Sequence, residues 1–309
     1  MSVEILIEAA PIAGYTNHAF RRLLVKMGAN VVYTEMVSAT ALFYENKKTL
    51  ELLWHDRVND KGEKIKNVVQ LFGKVPEHFE FAIKSGHLEG FDEININMGC
   101  PAPKIVKNGE GSALMKTPDL ARAIIESCVM ASKESIKKPV TVKFRLGYTE
   151  PNFVADEFAK MCESAGASKI IVHGRYASQG YSGVADWYAI KKVKDSVRIP
   201  VLANGDITSS DKLKECIKVT GADGVMIARA LFGAPWKITL EDRKPDVREI
   251  KEVIRLHMDL QEQLHGEDSF RELKKQLLAY CDHFDRAKEL KLKIAVSKTF
   301  DEAREVLGL

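Results

Sequence analysis

The chain has no Cys-x-x-Cys pair, no long apolar run and little imbalance of charge. Its five cysteines are scattered through 309 residues, which argues against a zinc ribbon or a disulfide framework. A reducing, cytoplasmic setting is the expectation. The longest apolar runs fall far short of the ~20 residues that a membrane helix requires, so no membrane partner is expected. The opening Met1-Ser2-Val3-Glu4 lacks the basic start of a signal peptide. A net charge of +3 does not by itself announce a nucleic-acid binder. Its distribution says more: residues 1–240 carry +5, residues 241–309 carry −2, and the stretch 271–298 carries +4. From charge alone, that last stretch reads as a solvated helix face.

What is present is an alternation of short β-rich runs and helix-like segments. The runs are Ile5–Ala10, Val31–Thr34, Asn67–Leu71, Glu93–Ile96, Val140–Phe144, Lys169–Val172, Pro200–Ala203 and Gly224–Ile227. They lack clean polar alternation, as expected of parallel strands buried on both faces. Between them, Thr117-Pro118 starts a helix over Leu120–Ala131 as N-cap and first-turn proline. Pro76 opens a helix that Gly86 closes, and Ser209 or Ser210 caps Lys212–Val219 ahead of Gly221. Eight β/α units over about 235 residues match a (β/α)8 TIM barrel. The predicted architecture is such a barrel over 1–240 with a small all-helical domain over 241–309. A doubly wound open sheet is the alternative, and it rarely continues through eight uniform units.

A distinctive polar group stands at nearly every strand exit: Glu35, Gln70, Asn97, Lys143 with Arg145, His173 with Arg175, Asn204-Gly205-Asp206 and Arg229. In a barrel these exits converge on the face that carries the active site. Singly, each has a plainer reading: a snorkelling lysine, a satisfied core histidine, a capping glutamine. Cys100 leaves its strand in Asn95-Ile96-Asn97-Met98-Gly99-Cys100-Pro101, a turn that presents a reactive group, whereas structural cysteines usually sit in apolar runs. The loops after the last two strands suit a phosphate, held by backbone N–H groups with charge from Arg229. Lys143 has two open roles, a Schiff base or a fixed cation beside a group that becomes anionic. Gln70 and His173, with the small Pro11-Ile12-Ala13-Gly14 turn, tilt the choice toward a flat flavin.

The chain resembles the tRNA-dihydrouridine synthases. The resemblance is carried by Ala10-Pro11-Ile12-Ala13-Gly14-Tyr15-Thr16-Asn17 with Phe20-Arg21, by Asn95 to Pro101, and by Val142-Lys143-Phe144-Arg145-Leu146-Gly147. His173-Gly174-Arg175 with Tyr181-Ser182-Gly183, Asn204-Gly205-Asp206-Ile207 and Gly221 to Arg229 complete it in order along the barrel. The segment Lys274 to Tyr280 resembles the family's helical domain more loosely. There Gln276 and Ala279 replace a frequent histidine and tryptophan, and Ile12 replaces the usual methionine.

The resemblance implies an oxidoreductase that reduces the carbon 5–carbon 6 double bond of selected tRNA uridines with FMN, recharged by NADPH. It assigns FMN contacts to Pro11, Ile12, Ala13, Gln70, Lys143, His173, Asn204, Gly205, Asp206, Ala228 and Arg229. It makes Cys100 the acid that protonates carbon 5, a role suited to a thiol whose ordinary pKa of ~8.5 keeps it protonated at neutral pH. Asn97, Arg145 and Arg175 are the expected contacts to the uracil. The partners implied are tRNA, presenting an extruded base, and NADPH, with no obligatory protein partner. The alternatives are a dihydroorotate dehydrogenase-like enzyme acting on a free pyrimidine, a flavin-free Schiff-base lyase on Lys143, and a non-catalytic RNA-binding module.

Overall fold

The computed structural model describes residues 5–309, so the reading of Met1 to Glu4 lies outside the described residues. Eight strands form one parallel sheet: β1 (Leu6–Ala9), β2 (Val31–Ser38), β3 (Lys66–Phe72), β4 (Glu93–Met98), β5 (Val140–Arg145), β6 (Lys169–His173), β7 (Val201–Asn204) and β8 (Gly224–Ile227). The hydrogen-bonded order is β1-β8-β7-β6-β5-β4-β3-β2. β1 and β2 then face one another across the seam, where the Tyr33 hydroxyl donates to Glu8 and Gly14 N to Glu35. This is the expected (β/α)8 barrel. All eight sequence-derived strands are present, and β2 runs on past Thr34 to Ser38. Its register shifts between Tyr33 and Met36, so Glu35 turns toward the first loop and Met36 takes the strand exit.

Helices α1 (His18–Lys26), α2 (Ala39–Phe43), α3 (Lys47–Glu51), α4 (Pro76–Lys84), α5 (Pro103–Lys107), α6 (Pro118–Glu134), α7 (Ala155–Ser164), α8 (Trp187–Ser196) and α9 (Ser210–Thr220) form the crossovers. Their ends follow local chemistry. Asn17 caps α1 by accepting from Phe20 N, and Ser209 caps α9 from Lys212 N; Gly221 ends α9 in the left-handed region at φ 65°. Thr117 departs from expectation. Its side chain makes no cap bond, and α6 starts on Pro118 alone, whose missing N–H is one of the helix's unpaired donors in any case.

The barrel interior is layered. At the floor, Lys169 lies 2.7 Å from Glu8 and 3.0 Å from Glu93, and Lys66 lies 2.7 Å from Glu93. Val68, Ile171, Leu202 and Met226 form the apolar middle with Tyr33 and Ala10. The polar strand exits form the mouth. β4 is an exception to the expected lack of alternation: Glu93, Asn95 and Asn97 alternate with Ile94, Ile96 and Met98, yet all six are buried. The polar set faces the barrel interior instead of solvent.

After β8 come α10 (Val247–His265), α11 (Phe270–Tyr280), α12 (Ala287–Val296) and α13 (Phe300–Leu307). α10 serves two cores. Its Leu260 joins the barrel's outer core, while Ile250, Ile254 and Met258 join a second core with Leu277, Tyr280, Ile294 and Phe300. Asn17 donates to Gln261 of α10 at 2.8 Å, and the Phe20 and His257 rings lie 5.3 Å apart. α11 seats on the loop after β8. Gly233 (φ 63°) has no room for a side chain, because a Cβ there would lie 2.5 Å from the carbonyl carbon of Ala279. Among the described residues no helix is long and apolar enough to cross a membrane.

Candidate active site

A cavity of about 640 Å³ opens at the barrel mouth. Cys100, Pro11, Ile12, Ala13, Gln70, Lys143, His173, Asn204, Gly205, Asp206, Ala228, Arg229, Asn97 and Arg145 all border it. Strand ends from every quarter of the barrel supply these side chains, as the sequence pattern implies.

Cys100 is half-buried in the turn after β4, and its thiol is free. Two elements hold the turn. The Asn97 carboxamide oxygen accepts from Gly99 N at 3.1 Å and from Cys100 N at 2.9 Å. Behind it, Cys100 O accepts from Ser112 N at 3.0 Å, and Gly111 (φ 60°) passes so close that a Cβ would stand 2.7 Å from Cys100 O. Burial pushes the thiol pKa up, against the smaller pulls of the Ala102 N–H, Arg145 and Lys143. The thiol is therefore protonated at neutral pH, which suits an acid and not a nucleophile.

Lys143 Nζ lies 3.0 Å from Asn204 Oδ1. Asn204 donates its amide to Met226 O at 2.7 Å, which turns its oxygen toward the lysine. No carboxylate pairs with Lys143 among the described residues. Burial, then the neighbouring Arg145, pushes its pKa down to about 7. Burial also drives His173 well below the ordinary histidine value, helped by Lys143, Arg145, Arg175 and Arg229, so the ring is neutral. One carboxylate, Asp206, accompanies this set of cations. It is already bound by Arg175 NH2 at 2.9 and 2.8 Å, by Ala185 N at 2.7 Å and by Arg229 NH2 at 3.2 Å. The mouth thus offers cationic groups with almost no internal counter-charge, a site built for an anion. Gly205 (φ 121°) adds a close backbone approach, since a Cβ there would meet Ala185 Cβ at 2.7 Å.

Arg175 does not take the expected place at the uracil. It is fully buried behind the wall and does not border the cavity. It also donates to Ser182 O at 3.0 Å and Gly183 O at 2.7 Å, and its NH1 lies 3.4 Å from His173 Nε2, so it holds Asp206, the 182–183 loop and the His173 ring. A single chain position gave no sign that a cation at a strand exit would be spent inward. Arg145 borders the cavity while bracing two loops, through Gly99 O at 2.9 Å and through Tyr176 O and Gly180 O at 3.0 and 2.9 Å. Asn97 is likewise engaged: its amide donates to Gln70 Oε1 at 2.8 Å and to Met36 Sδ at 3.1 Å.

The structure adds residues absent from the sequence-derived set. Tyr181 stands at the rim, with the Arg229 guanidinium 4.9 Å from its ring centre and that of Arg145 at 5.9 Å. Met36, Pro101 to Pro103 and Thr208 also line the wall. Tyr181 was legible as part of a motif, but its position against two arginines is a product of loop closure. On the opposite rim, Lys275 of α11 lies 4.7 Å from the Tyr15 ring centre, and Tyr15 stacks on Phe232 at 4.0 Å. The helical region therefore reaches the edge of the mouth.

Comparison with known proteins agrees with this geometry. The dihydrouridine synthase (Dus) family profile matches residues 8–308. A relative from Rickettsia conorii, described as "Probable tRNA-dihydrouridine synthase", is 42% identical over 233 residues, covering 75% of this chain and 68% of that protein. A Synechocystis relative, "Probable tRNA-dihydrouridine synthase 1", is 35% identical over 308 residues, covering 96% of this chain and 84% of its own length. Among solved structures, a 2-naphthoyl-CoA reductase complex superposes with a TM-score of 0.55 at 10% identity, covering 75% of this chain and 49% of that one, a likeness of fold alone. With the match spanning both the barrel and the helical region, the chain belongs to the dihydrouridine synthase family.

Proposed function

We propose that the mouth binds FMN and an extruded tRNA uracil on opposite sides of one cavity, with Cys100 as the proton donor of the reduction. As a dihydrouridine synthase the chain is an oxidoreductase acting on tRNA uridines. The observation that carries the residue-level reading is that the free, half-buried Cys100 thiol and the half-buried Lys143, which has no carboxylate partner among the described residues, border the same cavity.

The residues fit FMN by charge and by shape. Arg229 and the backbone around Gly205 and Ala228 would hold its phosphate. Lys143, kept toward the cavity by Asn204, would stand by the pyrimidine edge of the ring and favour its anionic form. Neutral His173 and Gln70 would hydrogen-bond polar atoms of the ring, and Pro11, Ile12 and Ala13 would pack against it. When bound and reduced by NADPH, FMN would supply the hydride chemistry needed at carbon 6 of the uracil. Cys100 transfers its thiol proton to carbon 5, and the thiolate left behind takes a proton from water. Arg145 keeps Gly99, and with it the thiol, in place, and together with Asn97 borders the space for the uracil. Extruding the base costs a few kcal/mol, drawn from backbone contacts outside the pocket. Exposed Lys104 and Lys107 beside the Cys100 turn and Lys275 on the opposite rim are placed to supply them. We assign residues 1–240 to the catalytic barrel and 241–309 to a tRNA-binding helical domain, with α10 shared between their cores.

Replacing the thiol tests this reading. Cys100→Ala keeps bound FMN and NADPH oxidation, while dihydrouridine formation on unmodified tRNA falls by about 10²–10⁴-fold, the usual worth of a positioned acid. Wild-type product formation by that variant would remove Cys100 from the mechanism.

A further inference from the structure

The alternating polar residues of β4 belong to one continuous hydrogen-bond chain that climbs the barrel interior. Thr141 Oγ1 lies 2.8 Å from Glu93 Oε1, and Asn95 Nδ2 lies 2.8 Å from Thr141 Oγ1. Gln70 Nε2 lies 2.7 Å from Asn95 Oδ1, and Asn97 Nδ2 lies 2.8 Å from Gln70 Oε1. Asn97 Oδ1 ends the chain on the N–H groups of Gly99 and Cys100 at 3.1 and 2.9 Å. Strand register produces this arrangement. Asn95 stands opposite Gln70 of β3 and Thr141 of β5, and its side chain shares the inward face of β4 with Glu93 and Asn97.

The chain has a direction, and both ends impose the same one. At the floor, Glu93 is held as an anion because Lys169 and Lys66 outweigh the burial that opposes its charge, so it can only accept. The single Thr141 proton therefore points to it, in preference to the longer contact with Ile94 O at 3.4 Å. The Thr141 oxygen must then accept from Asn95. That turns the Asn95 oxygen to Gln70, the Gln70 oxygen to Asn97, and the Asn97 oxygen to the thiol's turn. At the top, two backbone N–H donors require an oxygen. A carboxamide has nearly the same shape when rotated by half a turn, so packing alone does not select its orientation; the chain does.

We infer that Thr141, Asn95 and Gln70 are positioning residues for Cys100: a one-way relay of hydrogen bonds, anchored on the Glu93 carboxylate at the barrel floor, fixes the Asn97 oxygen that shapes the turn carrying the thiol. The inference rests on the reading of Cys100 as proton donor and extends it to how the thiol is aimed. Interrupting the relay in mid-barrel replaces no residue of the cavity wall, because neither Asn95 nor Thr141 borders the cavity; the effect reaches the thiol through Gln70 and Asn97, which do.

The test is Thr141→Val in the purified holoprotein, with Thr141→Ser as the restoring change. Cys100 is half-buried, while Cys128, Cys162, Cys216 and Cys281 are buried, so iodoacetamide labelling read peptide by peptide reports on it. With Asn97 released, the turn loosens and the thiol gains water. We expect Cys100 to alkylate at least about fivefold faster, with its pH midpoint moved down toward that of a free thiol. We expect turnover on tRNA to fall about tenfold through kcat, a larger loss than any change in flavin reduction by NADPH or in KM for tRNA. Thr141→Ser restores both. If Thr141→Val does not fold, Thr141→Ala carries the same comparison. A wild-type alkylation profile in either folded variant would overturn the inference, as would a loss that Thr141→Ser does not restore. Failure of the proton-donor reading itself shows separately, as full product formation by Cys100→Ala.

Discussion

The two ends of the barrel interior treat charge in opposite ways. At the floor, Glu8, Glu93, Lys66 and Lys169 are collected into one paired cluster, with the Tyr33 hydroxyl donating to Glu8. At the mouth, Lys143, Arg145 and Arg229 border a cavity whose one carboxylate, Asp206, is already engaged by Arg175 and Arg229. The first arrangement satisfies itself and therefore reads as structure. The second is incomplete without an anion and therefore reads as a binding site. A buried charge is informative through its partners, not through its burial.

The largest effect comes from breaking the floor. Lys169→Met removes the cation shared by Glu8 and Glu93, leaving Glu93 with Lys66 alone and Glu8 with no cation, only the Tyr33 hydroxyl. Unpairing a buried ion cluster in this way costs about 3–5 kcal/mol, read as a lowered urea midpoint, with FMN retention per folded molecule kept. Breaking the mouth does the reverse. Lys143→Met removes a desolvated, unpaired cation, so the unfolding midpoint holds or rises while FMN retention and the rate of flavin reduction fall. A Lys143→Met protein with wild-type flavin spectrum and reduction rate would end the electrostatic assignment. Equal loss of stability in both variants would erase the distinction between the two ends.

The contrast also marks what was legible in the sequence. Eight strands, the mouth residues and the Cys100 turn were readable because parallel strands bring every exit to one face, so position along the chain predicts position in space. The family resemblance then chose among chemistries that Lys143 alone left open; membership in the dihydrouridine synthase family supports the activity on tRNA uridines, while the role of Lys143 rests on the proposed mechanism. The floor cluster was not readable, because pairing among Glu8, Glu93 and Lys169 depends on which strands face each other across the closed barrel. For the same reason Arg175 was placed at the uracil when its guanidinium is spent on Asp206, the His173 ring and loop carbonyls. The end of β2 was misplaced because its register shift leaves no mark in composition, and Thr117 offered a capping side chain where the proline alone suffices. The region beyond residue 240 was readable as helical, but the double duty of α10 follows from two buried faces whose partners lie far along the chain.

A pH experiment sharpens the comparison further. Lys143 in the folded protein titrates at about 7, against ~10.4 for an unperturbed lysine. Between those values the unfolded chain binds the extra proton, so stability of flavin-free protein rises with pH from about 7 toward 10, and the lysine opposes folding most strongly below 7. The slope is at most about 1.4 kcal/mol per pH unit for one proton, and less where water in the cavity screens the charge. Lys143→Met lacks this rise. A bound anion pairs with the lysine, returns its pKa upward and flattens the wild-type profile. Parallel wild-type and variant curves in flavin-free protein would mean that Lys143 is better solvated than its place in the cavity implies.

The smallest effect lies outside the pocket, where neither end's logic applies. Lys104 and Lys107 of α5 are exposed and carry no ion pair among the described residues, so replacing them costs no internal partner. If they meet RNA phosphates, each alanine substitution weakens tRNA binding modestly and reduces the slope of log affinity against log salt by roughly 0.7–0.9 per lost contact. Stability, flavin content and NADPH oxidation in the absence of tRNA stay at wild-type values, because α5 touches the mouth only through Pro103. Unchanged salt slopes in the double variant would move the RNA track away from the Cys100 side of the rim. The basic stretch of α11 and α12, beginning with Lys275 beside Tyr15, would then have to carry the backbone contacts that hold the extruded base.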